Sequence, residues 1–276
     1  MTTYHALEHR FRLDVDDVRL RRYVEDVFAP LAARAVGDAN ASTYTLRVGT
    51  ESANTFELYA DDTCVVTSLD PTRPLAHLLN HVNVTAIERS SGNTLLHAAA
   101  ASSTDGAVIF PAAMEAGKST LVAGLTRAGW SYITDEVVAI DPVDRLVRPY
   151  PRSISLDPGS WPLFRDVAPH VDPAIEPFLP RQWQVPPTWL GSVQAGPIPI
   201  TAIVTHAYVE DSETILEELD PVECLRRILA CCFTLPQHAE RDLTTLAALI
   251  DLVPCYFLQV GDLEGACREL TSEFEP

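Results

Sequence analysis

From residue 93 onward the chain alternates between short, nearly all-apolar runs and stretches of helical periodicity. "NTLLHAAAA" (93–101) and "GAVIFP" (106–111) are too short for helices and flank the turn-forming "SSTDG", so two buried strands are expected there. "GKSTLVAGLTRAG" (117–129) returns to helical spacing and ends at Gly129, a residue suited to the left-handed conformation that stops a helix. "WSYITDEVVAI" (130–140) reads as a strand interrupted by two carboxylates, after which "DPVD" turns the chain into "RLVRPYPRSISL". Residues 166–200 are too rich in proline for regular elements, and a long surface excursion or lid is expected. "ITAIVTHAYV" and "CYFLQV" then predict strands, and "PVECLRRILACCF", "RDLTTLAALIDL" and "LEGACRELTSEF" predict helices.

The first 92 residues have a different texture. Val18, Val24, Val27, Phe28 and Leu31 recur at helical spacing within 14–36, with acidic residues crowding the start as the helix dipole favours. "TYTLRVG" and "TFELYADDTCVVTSL" predict strands and a hairpin about "ADDT", and "PLAHLLNHVNVTAIE" a helix with proline in its first turn. The expected organisation is a small α+β unit over 1–92 and a larger α/β domain over 93–276 containing the proline-rich excursion. No internal repeat is visible.

Bulk composition narrows the options. The 276 residues are 47% hydrophobic and 21% charged, an ordinary globular balance. No apolar run approaches the ~20 residues of a membrane span, and "MTTYHALEHRF" lacks the order of a secretory signal, so a cytoplasmic location is expected. The net charge of −18 repels phosphate backbones and anionic lipid, which argues against nucleic acid and membrane surfaces as partners. Six cysteines show neither C-x-x-C spacing nor Cys/His clusters, so no zinc or redox site is expected; Cys224, Cys231 and Cys232 read as small buried thiols.

The chemistry concentrates at "IFPAAMEAGKSTL" (109–121). Strand, loop, "GKST" and helix in that order make a phosphate-binding loop, in which backbone N–H groups of Ala112, Ala113, Met114, Glu115, Ala116 and Gly117 face the phosphates with the helix N-terminus. Lys118 neutralises charge, and Ser119 and Thr120 follow, the Ser119 hydroxyl being suited to Mg²⁺. The loop departs from G-x-x-x-x-G-K-[ST] at Ala112, and Glu115 occupies another position where glycine is common. Asp135 and Glu136, at the end of an apolar strand, are costly to bury without a cation and suit metal binding or proton acceptance. His97 alone would read as a packed strand residue; it gains meaning from the company of the other groups.

In this spacing, His97, the loop from Ala112 to Ser119, and Asp135-Glu136 resemble the catalytic domain of HPr kinase/phosphorylase. The likeness is closer to HPr-kinase-related proteins of actinobacterial type, some found with lasso-type peptides, through "LLHAAAA", "AGKSTLVAGL", "ITDEVVAIDP" and "VRPYPRSISL". It is strongest over 94–156. The resemblance implies a P-loop kinase fold shared with phosphoenolpyruvate carboxykinase, ATP with Mg²⁺, and phosphorylation of a serine or threonine hydroxyl on a peptide or protein, a ribosomally made precursor peptide among them. It places His97 beside the γ-phosphate, Lys118 on the phosphates, Ser119, Asp135 and Glu136 at the metal, and one of the two acids as base. Arg152 matches the arginine of the family's E-I-R-G segment, whose glutamate has no counterpart here. The family's enzymes are hexamers, which brings in homo-oligomerisation as a possibility. Arg148 and Arg181 are further candidates for cationic help at the γ-phosphate. Two other functions fit the same residues: a kinase for a small hydroxylated molecule, and a catalytically weak nucleotide-binding partner protein.

Overall fold

The computed structural model describes residues 2–33, 40–50 and 53–274. The chain is mixed α/β, with three sheets and six α-helices among those residues. It divides into two compact units, Met1–Ser90 with Ser155–Pro186, and Ser91–Ile154 with Pro187–Pro276.

In the first unit, β1 (Thr3–Ala6), β2 (His9–Val15), β3 (Ser42–Thr50), β4 (Ala53–Ala60) and β5 (Thr63–Ser68) form one sheet in that order. Helices α1 (Val18–Phe28) and α2 (Arg73–Arg89) accompany it. The sequence reading missed β1 and β2 and started the first helix at 14. "HRFRLDV" buries every second residue, so it forms a strand through Val15. The helix begins only where the Asp17 carboxylate accepts the N–H groups of Arg19 and Leu20, at 2.8 and 3.0 Å. It ends at Phe28, because Pro30 cannot continue it and sits in a 3₁₀ turn, Ala29–Leu31. Residues 34–36 of the expected helix lie outside the described residues.

The excursion is irregular, as its prolines dictate: three 3₁₀ turns lie between the short paired strands β11 (Ile154–Leu156) and β12 (Trp183–Val185). Residues 155–186 group with the first unit, although the sequence reading assigned 166–200 to the second.

The second unit holds β6 (Thr94–Ser102), β7 (Ala107–Pro111), β8 (Ser131–Thr134), β9 (Val137–Ile140), β10 (Leu146–Arg148), β13 (Ile198–Tyr208), β14 (Ile215–Glu218) and β15 (Cys255–Val260). They form one eight-stranded sheet, ordered β10-β9-β6-β7-β13-β15-β14, with β8 also on β6 and β10 pairing back to β13. β7, β13 and β15 run parallel, and β6 is antiparallel to β7. Parallel neighbours need crossover connections, which α3 (Lys118–Arg127) and then α4 (Pro221–Ala230) and α5 (Leu235–Ile250) help to supply; α6 (Leu263–Phe274) closes the chain. The carboxyl ends of β7 and β13 therefore lie together, the usual place for ligands in open α/β sheets.

Leu96, Ala98 and Ala100 of β6 and Ile109 of β7 pack with Cys224 and Ile228 of α4 and Leu246 and Leu249 of α5. α3 lies against β6 and β8. It stops as the sequence implies: Gly129 takes φ +115°, its N–H bonds Thr126, and the Trp130 N–H bonds Leu125. Helix α4 is shorter than expected. It ends at Ala230, and the following residues lie along β6, with the His97 N–H on the Cys231 carbonyl at 2.7 Å and the Phe233 N–H on Leu95 at 2.8 Å. Strand β14, two of whose four residues are glutamates, was not expected. Among the described residues no helix is long and apolar enough to cross a membrane.

The start of β6 is held by a buried carboxylate. Asp242 accepts from Thr94 at 2.8 Å and pairs with Arg241 at 2.7 Å, while Arg241 also bonds the Asn93 carbonyl. Asp242→Ala would strand Arg241 and Thr94, and it is expected to cost about 3 kcal/mol in urea unfolding. Glu240→Ala, at an exposed position two residues earlier, is expected to change stability by less than about 0.5 kcal/mol.

Candidate functional site

β7 ends at Pro111 and α3 begins at Lys118, so the loop is 112–117. Gly117 caps the helix at φ +87°, and its carbonyl takes the Leu121 N–H at 3.0 Å. Glu115 is also left-handed, at φ +62°, which explains why glycine is common at such a position. Ala112 is not among the positive-φ residues, so its methyl is accommodated without backbone strain. Met114, 80% exposed, and Glu115, also exposed, form an outer rim.

Lys118 is only 6% exposed. Its ammonium donates to the carbonyls of Ala112 (2.9 Å) and Ala113 (2.7 Å), so the loop closes on its own lysine. Burial lowers the lysine pKa; the charges of Glu136, Cys231 and Asp135 pull the other way.

The break between β8 and β9 puts Asp135 and Glu136 at the head of this helix. Ser119 Oγ donates to Asp135 Oδ2 at 2.9 Å, and the Tyr132 hydroxyl donates to Asp135 Oδ1 at 3.0 Å. Arg152 lies 3.9 Å from Asp135 and 3.6 Å from Glu136. Asp135 is 1% exposed, whereas Glu136 is half-buried. Burial opposes the Arg152 charge, but Asp135, Tyr150 and Glu136 outweigh it and raise its pKa further. Burial and then Asp135 push the Tyr132 phenol well above its ordinary range, so it stays a neutral donor.

His97 is fixed through its backbone to Cys231, with its ring 5.5 Å from that of Phe233. Burial and then the Lys118 charge bring its pKa down to about 4, against an opposing pull from Asp135. The imidazole is therefore neutral at pH 7. His97, Lys118, Ser119, Asp135, Glu136 and Arg152 thus gather at one end of the sheet, with Thr120 half-buried in the first turn of α3. Arg148 does not join them: it pairs with Asp141 and Asp144 in the β9–β10 turn. Arg181 is exposed and belongs to the first unit.

Beside the loop opens a cavity of about 660 Å³, walled by His97, the loop, Thr205–Tyr208 of β13, Arg226 and Arg227 of α4, and Cys231–Phe233. Both arginines bond a single carboxylate, Glu223, and Arg227 also donates to Thr205 at 3.1 Å. Glu115 of the loop faces the same cavity as the two arginines. Tyr132, His206, Arg226 and Arg227 were not singled out from the sequence. Tyr132 carried a usable signal, a hydroxyl in the strand that leads to the two acids. His206 carried none beyond being one histidine in an apolar strand.

Among the described residues no three His, Cys, Asp or Glu side chains cluster as a metal site. Ser119, Asp135 and Glu136 still offer a hydroxyl and two carboxylates, the sparse protein set Mg²⁺ uses when water and phosphate complete its shell. No protein-family model and no curated protein matches the chain.

Two outcomes test this description. Glu115→Gly, which removes the left-handed penalty on an L-residue, is expected to stabilise the protein by about 1 kcal/mol in thermal unfolding. His206 is buried, and its pKa is held near 4, by burial first and the Lys118 charge second, against the Ala116 backbone. The unfolded chain therefore binds the extra proton between about pH 6.5 and 4, and stability falls as pH falls through that window. From pH 7 to pH 5 this histidine is expected to cost about 2 kcal/mol, a loss absent from His206→Leu in urea titrations at the two pH values.

Proposed function

We propose that the chain is a Mg-ATP-dependent kinase built on the P-loop fold of the HPr kinase/phosphorylase type, acting on a serine or threonine hydroxyl of a peptide or protein. The observation that carries this reading is the 2.9 Å hydrogen bond from Ser119 to the buried Asp135, next to Lys118. It joins two distant parts of the sequence pattern, and a hydroxyl, a carboxylate and a lysine side by side support a phosphoryl-transfer reading.

Each residue then has a task. The loop N–H groups and the N-terminus of α3 receive the phosphates, and Lys118 exchanges the Ala112 and Ala113 carbonyls for phosphate oxygens. Mg²⁺ held by Ser119 and Asp135 would supply charge neutralisation to the same oxygens. Asp135 is engaged by Ser119 and Tyr132, and Glu136, half-buried beside it and paired with Arg152, is assigned to take the proton of the acceptor hydroxyl. As that oxygen bonds the γ-phosphorus, the bridging oxygen leaves with ADP. His97, neutral at pH 7, hydrogen-bonds the transferred group without adding charge, and Arg152 holds the two acids in register. The cavity favours one variation: its volume falls in the ~300–1,000 Å³ range of small-ligand sites, which suits a small hydroxylated acceptor equally well.

The test is incubation with Mg-ATP and serine- or threonine-containing peptides or hydroxylated metabolites, read by mass. Transfer of one phosphate is expected to slow about 10²- to 10³-fold in Lys118→Ala and by about 10² or more in Glu136→Gln, with Arg148→Gln unaffected. Transfer that survives Lys118→Ala, or no transfer and no ATP hydrolysis with any acceptor, would sink the kinase reading. Phosphate on metabolites alone selects the small-molecule form.

A further inference from the structure

His206 is a buried side chain whose ring makes no hydrogen bond. It is 7% exposed at the end of β13, and neither ring nitrogen has a hydrogen-bond partner. Such groups are a few per hundred residues in native proteins, and each is costly enough to require a reason.

Its neighbours supply one. The ring stands edge-on to Phe110, 6.4 Å away, in the strand that leads into the phosphate loop. It shares a cavity wall with Ala116. The Ala116 backbone already favours the protonated ring, as a carbonyl facing an N–H does, but the contact falls short of a hydrogen bond. Ala116 lies between the two left-handed residues of the loop, Glu115 and Gly117, and glycine turns about its backbone at little cost. The loop also has a reason to change: Lys118 is now spent on the carbonyls of Ala112 and Ala113, and an anion that takes the ammonium releases both.

We propose that His206 is a positioning residue for the loop, its ring N–H closing onto the Ala116 carbonyl when a bound polyphosphate draws Lys118 away from Ala112 and Ala113. This rests on the nucleotide reading above. The free protein carries the unmade bond as a penalty, and the bound form recovers it. Removing the donor should therefore do two opposite things, stabilising the empty protein and weakening its grip on the ligand. A residue that merely fills space would not separate the two.

The experiment compares wild type, His206→Leu and His206→Gln by thermal unfolding without ligand and by calorimetric titration with Mg-ATP and with pyrophosphate. His206→Leu is expected to raise the ligand-free Tm by about 2–4 °C and to weaken Mg-ATP binding about tenfold. His206→Gln, which keeps an N–H donor, is expected to regain most of that affinity. An affinity within twofold of wild type in His206→Leu, or a lower ligand-free Tm, overturns the latch and leaves the nucleotide reading standing. Failure of wild type to bind either ligand removes the nucleotide reading and the latch with it. Wild type also answers alone: on saturation with Mg-ATP the ring N–H proton should appear downfield and exchange slowly, and an unchanged imidazole spectrum overturns the proposal.

Discussion

A carboxylate that is almost wholly buried must be surrounded by donors, and Asp135 imposes that requirement on the end of the second unit where it lies. It interrupts what would otherwise be one strand, so β8 and β9 separate at Asp135-Glu136. It draws in the Ser119 hydroxyl from the head of α3 and the Tyr132 phenol from its own strand, and Arg152 approaches from beyond β10. Without those groups the charge would be intolerable there, and the charge in turn ties the helix start to the strand break by a hydrogen bond. The loop geometry follows from the same tie, since α3 cannot shift without moving Ser119 off its acceptor.

Lys118 and His97 show how one environment sets two protonation states. Burial disfavours charge on both. The lysine has Glu136 and Asp135 to favour its ammonium, and a carbonyl pair to receive its protons. The histidine, already the far weaker base, is brought down further by burial and then by the lysine's charge. The outcome is a cation beside a neutral imidazole, two nitrogen bases with different work available to them at pH 7.

What could be read from the sequence was whatever depends on near neighbours. The strand–loop–helix unit at 107–127 was legible because apolar length, Gly117 and Gly129 act within a few residues. The pairing of Ser119 with Asp135 was legible only through the spaced pattern, since a single "GKST" or "DE" means little. The alternation in "HRFRLDV" was present but masked by its charged members, and the acids ahead of α1 drew the helix start too early. Residues whose meaning comes from distant partners left no trace: His206 depends on a loop 90 residues upstream in sequence, and Arg226 and Arg227 read as ordinary positions on an amphipathic helix. The shortening of α4 was also invisible, because the residues after Ala230 trade helical bonds for the edge of β6.

The grouping of residues 155–186 with the first unit has a topological consequence. The backbone passes from one body to the other, returns, and passes over again, so the two alternate along the sequence. A single cleavage cannot release either one whole, and a fragment beginning at residue 93 would carry a proline-rich segment parted from the strands and helices it groups with. Gene truncation is thus a poor way to isolate the second body.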